Sequence, residues 1–329
     1  MKQEILKRIG AILAAAVLIF VFGCTKSAPV SQPAADQQTA QSDSGESAEF
    51  TGYNGVYHAD GTNETVENAS YATSAANENA VLLNNGGILT LSNADINKLG
   101  DAEGDFADGR NAAIVAVKGG ALTMNGGSVT TNGLGAYGLF ISGGDASFVG
   151  DGTYLSTSGA SSAGIAAADG AAVVFSNGTI ATEGENSPCL LLSGGGVTLV
   201  NMKLSSKSAA LVYAPSGDGR LMLDGTSLAV APVIDESATL WLELKNKSSL
   251  IGTFGESLPA RASVSLDATS TWTLDADAYV TVFLNADAAN ANIVSNGFTI
   301  YYDSNAPENE PLGSQSYPLP GGGYLSPLI

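Results

Sequence analysis

Short apolar runs alternate with turns rich in Gly and Asn along most of the chain, and the alternation repeats. One phrase is a Gly-rich turn, a short strand with every second residue apolar, then an Asn or Gly. It reads Gly87-Ile88-Leu89-Thr90-Leu91, then Gly120-Ala121-Leu122-Thr123-Met124, then Gly144-Asp145-Ala146-Ser147-Phe148. It returns around Phe175, Leu199, Leu223, Leu244 and Leu266, so the anchors from Leu91 onward lie 33, 24, 27, 24, 24, 21 and 22 residues apart. A period near 24 residues built of strands, without a helical signal, predicts a β-solenoid.

Each repeat resolves into three strands. Tyr137-Gly138-Leu139-Phe140-Ile141 is one apolar run, Ala146-Ser147-Phe148 a second and Thr153-Tyr154-Leu155-Ser156-Thr157 a third, with Gly-rich turns between them. The next two repeats keep this order. At roughly 3.3 Å per residue, such a turn encloses a stacked apolar core. The fold class is therefore all-β, a right-handed parallel β-helix with three strands per coil, about seven to eight coils and capped ends.

Two rows support the alignment. Val129, Ile180, Leu204 and Leu228 sit five residues past their anchors and should stack inward. Leu155 sits seven past, which reads as a two-residue insertion. Their neighbours Thr130, Ser156, Ala181, Ser205 and Ala229 should face water. Two residues past the anchors stand Asn93, Gly126, Gly150, Asn177, Asn201, Gly225 and Asn246, and only Ala268 breaks the row. Gly, and to a lesser degree Asn, accept a left-handed backbone at low cost, so this row predicts a corner ladder stacked coil on coil.

Solenoids need closed ends. Residues 50–80 are polar and irregular and read as an N-terminal cap. After Leu266 the pattern fades, and the runs Thr271–Leu274, Tyr279–Phe283 and Phe298–Tyr302 read as closing strands. The tail from Tyr317 to Leu325 should fold back on that end.

The first 23 residues read as a targeting segment. Lys2, Lys7 and Arg8 form a basic start, and Ala11 to Phe22 an apolar stretch too short to span a membrane comfortably. Val21-Phe22-Gly23-Cys24 resembles a bacterial lipobox, which implies a diacylglyceryl group on Cys24, with acyl chains such as palmitate holding the chain to a membrane. The alternative is a general signal peptide with an incidental Cys, or an uncleaved anchor. Residues 24–50, rich in Ser, Ala, Gln and Pro, read as a flexible tether. Residues 51–329 then form the solenoid domain, displayed at the cell surface. The other cysteine, Cys189, lies in an apolar run and reads as a small core residue.

Without residues 1–23 the chain carries 10 Lys and Arg against 31 Asp and Glu, a formal charge of −21. That argues against nucleic acid as a partner. Pectin-degrading enzymes use β-helix scaffolds, with two or three carboxylates flanking the scissile bond and nearby His, Arg or Lys. Here the only His is His58, and Arg110, Arg220 and Arg261 are scattered. Asp101, Glu103, Asp105 and Asp108 form an acidic loop that lengthens the first spacing, a weak candidate for Ca²⁺ without the EF-hand spacing. Asp267, Asp275, Asp277 and Asp287 are a looser group. Ice binding would want regular Thr ranks, and the row at Thr130 is mixed. No cofactor is expected.

Three segments carry a family resemblance: Asn77 to Leu91 (NENAVLLNNGGILTL), Gly104 to Val117 (GDFADGRNAAIVAV) and Asn292 to Asp303 (NIVSNGFTIYYD). They resemble a group of exported bacterial β-helix proteins of the pectin-lyase-like fold, described as adhesin-like or of unknown function. The resemblance implies export and the fold, and no catalytic residue. The expectation is a surface-anchored, non-catalytic lipoprotein that adheres to or binds glycan or protein, with outward aromatics such as Tyr137 and Tyr154 as contacts. A polysaccharide lyase or hydrolase, or an envelope spacer, is the alternative.

Overall fold

The computed structural model describes residues 52–207, 210–254 and 261–328. The lipobox with Cys24 and the tether lie outside these residues. The chain winds as a β-solenoid of about 11 turns with almost no helix. Nearly all strand pairs are parallel and join one coil to the next. On the first face, Leu139–Ser142 pairs with Ile114–Val117 on one side and Ile165–Ala168 on the other. On the second, Ser147–Asp151 lies between Ala121–Asn125 and Ala172–Ser176. On the third, Tyr154–Thr157 lies between Ser128–Thr131 and Thr179–Thr182.

There are more turns than the expected seven to eight because both supposed caps are coils. Gly55–Asp60, Asn63–Glu67 and Ser70–Thr73 pair in parallel with Asn79–Asn84, Ile88–Ser92 and Asp95–Lys98, so residues 50–80 contain a complete first coil rather than an irregular cap. Its polarity misled the reading, because an end coil has no neighbour on one side. Its inward residues Tyr57, Val66 and Tyr71 are only partly buried, and the two tyrosine rings pack 4.8 Å apart. At the other end, Ala278–Val280, Ile300–Asp303 and Tyr324–Leu328 continue the stack as parallel rungs. The tail does fold back: Tyr317–Pro318 pairs antiparallel with the last rung.

The corner ladder is present and begins one coil early, at Asn68. Asn68, Asn93, Gly126, Asn177, Asn201, Gly225 and Asn246 all have φ between 50° and 68°. Each corner N–H reaches the next coil, as in Asn93 N to Asn125 O at 2.9 Å and Asn177 N to Val200 O at 2.9 Å. Gly150 is not part of the ladder. It lies within a strand in register with Met124 and Phe175, and the corner residue of its coil is Gly152, with φ of 65°. The true anchor of that coil is thus Gly150, not Phe148. Leu155 then sits five residues past it, opposite Val129 and Ile180, and no insertion is needed.

Gly150 holds an inward position where every neighbouring coil has a large apolar side chain. The space is taken by the rings of Phe148 and Phe175, packed edge to face with centroids 5.6 Å apart. A Cβ on Gly150 would lie 2.6 Å from the Phe148 ring and 2.8 Å from that of Phe175. A second ladder, unread in the sequence, stands where the third face turns into the first. The phrase is Thr-x-Gly-x-x-Ala or Ser, as in Thr131 to Ala136 and Thr157 to Ser162. The Thr131 and Thr157 hydroxyls donate inward to Ala136 O and Ser162 O, both at 2.6 Å. The stacked glycines 133, 159 and 184 touch backbone, since a Cβ on each would fall about 2 Å from the preceding coil's carbonyl oxygen. Lys98 occupies the threonine position of an earlier coil, fully buried, with Nζ donating to Ala75 O at 2.5 Å. Burial pushes its pKa down, and the charges of Glu78 and Asp101 oppose that.

Candidate functional site

The acidic loop belongs to the scaffold. The outer side of the first face carries an apolar row, Leu82, Val115, Phe140, Ala166 and Leu191, one residue per coil. The loop lies over its early part. Phe106 packs edge-on to Tyr137, centroids 6.4 Å apart, and Tyr137 stacks on Phe140. Gly109 lets the loop approach closely, because a Cβ there would meet the Phe140 ring at 2.1 Å. The Tyr53 hydroxyl donates to Asp108 O at 2.6 Å.

The carboxylates of this loop bond within the protein. Asp101 accepts from Leu134 N at 2.8 Å, Asp105 from Ala107 N at 3.0 Å, and Asp108 pairs with Arg110. Glu103 contributes through its backbone: its N–H donates to Asn77 Oδ1 at 3.1 Å, and its carbonyl accepts from Asn77 Nδ2 at 2.7 Å. Among the described residues, no three acidic, His or Cys side chains gather in an arrangement suited to a metal ion.

Tyr137, expected as an outward contact, is buried beneath the loop. Burial, and then the charges of Asp105 and Asp108, push its hydroxyl up to about 12. Tyr154 is 47 % exposed on the third face, between Ser128 and Thr179 in adjacent coils. His58 lies on the outer first face, with Nε2 2.9 Å from Asn84 Oδ1. Cys189 is a free, buried thiol pushed up to about 11 by burial, with Sγ 3.2 Å from Ser205 O. Asp267 caps the corner ladder: its Oδ2 accepts from Asn246 N at 2.7 Å, in the place of the carbonyl that serves elsewhere. Burial raises this carboxyl, and the bonds from Asn246, Ser270 and Thr269 outweigh it, bringing it down to about 2.

The outward aromatic surface lies instead near the C-terminal end. Alternation in three successive rungs sends Ala278, Val280, Ile300, Tyr302 and Leu325 inward and leaves the residues between them outside. Tyr279, Tyr301 and Ser326 stand in register on that outer side. The rings of Tyr279 and Tyr301 stack with centroids 5.0 Å apart and planes 18° apart. Tyr324 precedes the last rung's Ser326 by two residues and is 52 % exposed. It sits a diagonal step from Tyr301. Among the described residues, these three hydroxyls have no hydrogen-bond partner.

Ser326 stands where a third ring would continue the stack, and among the described residues Tyr301 makes no ring contact besides that with Tyr279. Asp277 and Asp303 flank the pair, two residues before Tyr279 and two after Tyr301. Their Oδ1 atoms accept from Thr299 N and Asn305 N, each at 2.8 Å. The sequence carries a signal for this surface: Tyr279 and Tyr301 are 22 residues apart, the period of the last anchors, and each follows an apolar residue. Reading these runs only as end-sealing strands hid it. Residues 262–329 also contain seven acids and no Lys, Arg or His. No family model, curated protein or solved structure matches the chain.

Proposed function

We propose that this chain is an exported, lipid-anchored β-solenoid that binds glycan without chemical turnover, through the outer surface formed by Tyr279, Tyr301 and Tyr324. The observation that carries this reading is the stacked, outward tyrosine pair with unpartnered hydroxyls. Other ring pairs among the described residues lie in the core, as at Phe148 and Phe175 or Trp272 and Phe254, whereas Tyr279 and Tyr301 are half-buried on the outer side. A ring face beside a small side chain on a rigid sheet suits a sugar ring, which presents C–H groups to the ring and hydroxyls to its polar rim. The stacked coils hold the surface in place without a cost of ordering on binding.

Anchoring at Cys24 and display at the cell surface follow from the lipobox-like sequence and belong to the same proposal. The acid-lined surface supports a partner other than nucleic acid. Binding of soluble oligosaccharides, titrated against the chain and its Tyr301→Ala variant, tests the reading. Saturable binding that weakens about tenfold in the variant, with an unchanged circular dichroism spectrum, is expected. Indifference of every bound sugar to Tyr301→Ala overturns it. For the anchor, labelled palmitate should enter the wild-type chain and not Cys24→Ala.

A further inference from the structure

We infer that the glycan taken by this surface is a cationic amino sugar polymer, one whose glucosamine-type units carry free amines. The inference rests on the glycan-binding reading and adds the charge of the ligand to it. Three rungs build the surface as a grid. The first carries Asp277 and Tyr279, the second Thr299, Tyr301 and Asp303, and the third Tyr324 and Ser326. A sugar ring stacked on the free face of Tyr301, over Ser326, has the Tyr324 ring beside it and the two carboxylates within the same grid.

The three rungs themselves carry charge of one sign. Each of Asp277 and Asp303 has one oxygen in a backbone hydrogen bond, and neither takes part in an ion pair among the described residues. No base occurs after Arg261, which stands on the preceding coil next to Ala262, whose carbonyl accepts from Thr281 N at 2.7 Å, so the three rungs themselves hold no cation. An acidic sugar such as a uronate would meet repulsion from both carboxylates, with no cation on these rungs to receive it. A neutral sugar would use the ring and leave the carboxylates idle. A free ammonium uses both, as a charge-assisted donor to Asp277 or Asp303 and as a cation near the tyrosine rings. Because repeating units place an amine on every residue of the polymer, neighbouring amines reach the flanking carboxylates while one ring stays stacked.

The test compares three probes of similar length against the full chain by calorimetry at low and physiological salt. They are a glucosamine hexamer, its fully N-acetylated counterpart and a lysine hexapeptide. The expected result is that the glucosamine hexamer binds at least about tenfold tighter than the other two, with affinity falling as salt rises. Tyr301→Ala should abolish that preference. The pair Asp277→Asn with Asp303→Asn should bring the two sugars within about threefold of each other while leaving the fold intact. Equal binding of both sugars keeps the glycan-binding surface and overturns the amino-sugar inference. Binding of neither sugar overturns both. Equal binding of the lysine peptide, or glucosamine binding unchanged by Tyr301→Ala, shows bulk attraction of cations to an acidic surface and overturns the inference as well.

Discussion

Replacing Gly150 by Ala should destabilise the solenoid, although alanine at most strand positions does the opposite. Alanine restricts the unfolded chain, which alone favours folding by ~0.4–1 kcal/mol. Here the added methyl would lie 2.6 Å from the Phe148 ring and 2.8 Å from the Phe175 ring. Both rings are fully buried and packed on each other, so neither has room to swing away. Overpacking of this kind costs ~1–3 kcal/mol, leaving a net loss of ~1–2 kcal/mol. Phe148→Leu removes the ring that occupies the space and should itself cost ~1–2 kcal/mol. In that background the contact with the Phe148 ring is gone and only the one with Phe175 remains, so the cost of Gly150→Ala should fall by about half. The coupling between the two changes should therefore be ~0.5–1.5 kcal/mol and favourable. Urea unfolding of all four proteins, followed by circular dichroism, measures it. Because coils of a solenoid can open separately, amide exchange in the strands at Ser147–Asp151 and Ala172–Ser176 should report the same ranking. Gly150→Ala that costs nothing alone, or costs as much beside Leu as beside Phe148, would refute the assignment of Gly150 to the interior.

Three further outcomes follow from the corners and the core. Asn177 holds φ of 53° and donates to Asp151 Oδ1 at 2.7 Å, so Asn177→Ala should lose ~1–2 kcal/mol in thermal or urea unfolding, and Asn177→Gly clearly less. The Asp267 carboxyl is lower in the folded chain than its ordinary value near 3.9, so its stabilisation is present above that value and lost as pH falls toward about 2. Solvent screening keeps the effect below ~1 kcal/mol, and Asp267→Asn should flatten the acid limb of a stability–pH curve by that amount. Cys189 is buried with its thiol raised to about 11, so a thiol reagent should modify it at the rate of chain opening and not faster. Rapid labelling in native buffer would contradict that burial.

Local chemistry determined much of this molecule, and the sequence alone therefore revealed it. The 24-residue period, the short strands and the Asn or Gly at the corners are each a matter of one residue and its neighbours in the chain. A left-handed corner needs Asn or Gly wherever it occurs, so Asn93, Asn177, Asn201 and Asn246 announced it without any knowledge of what lay above or below. Register between coils is a different kind of fact. A shift of two residues keeps the alternation of inward and outward side chains, so pattern alone accepted Phe148 as an anchor where packing requires Gly150.

Which outward residues remain exposed was also a tertiary decision. Tyr137 looked available until the loop carrying Phe106 folded across it, an event set by contacts between residues 31 positions apart. Tyr279 and Tyr301 looked like parts of a closing segment until the stacking of coils brought their rings together. The polarity of the first coil and the fading pattern of the last ones have one physical reason. A coil at the end of a stack is covered on one side only, so its sequence resembles surface even where its backbone continues the solenoid.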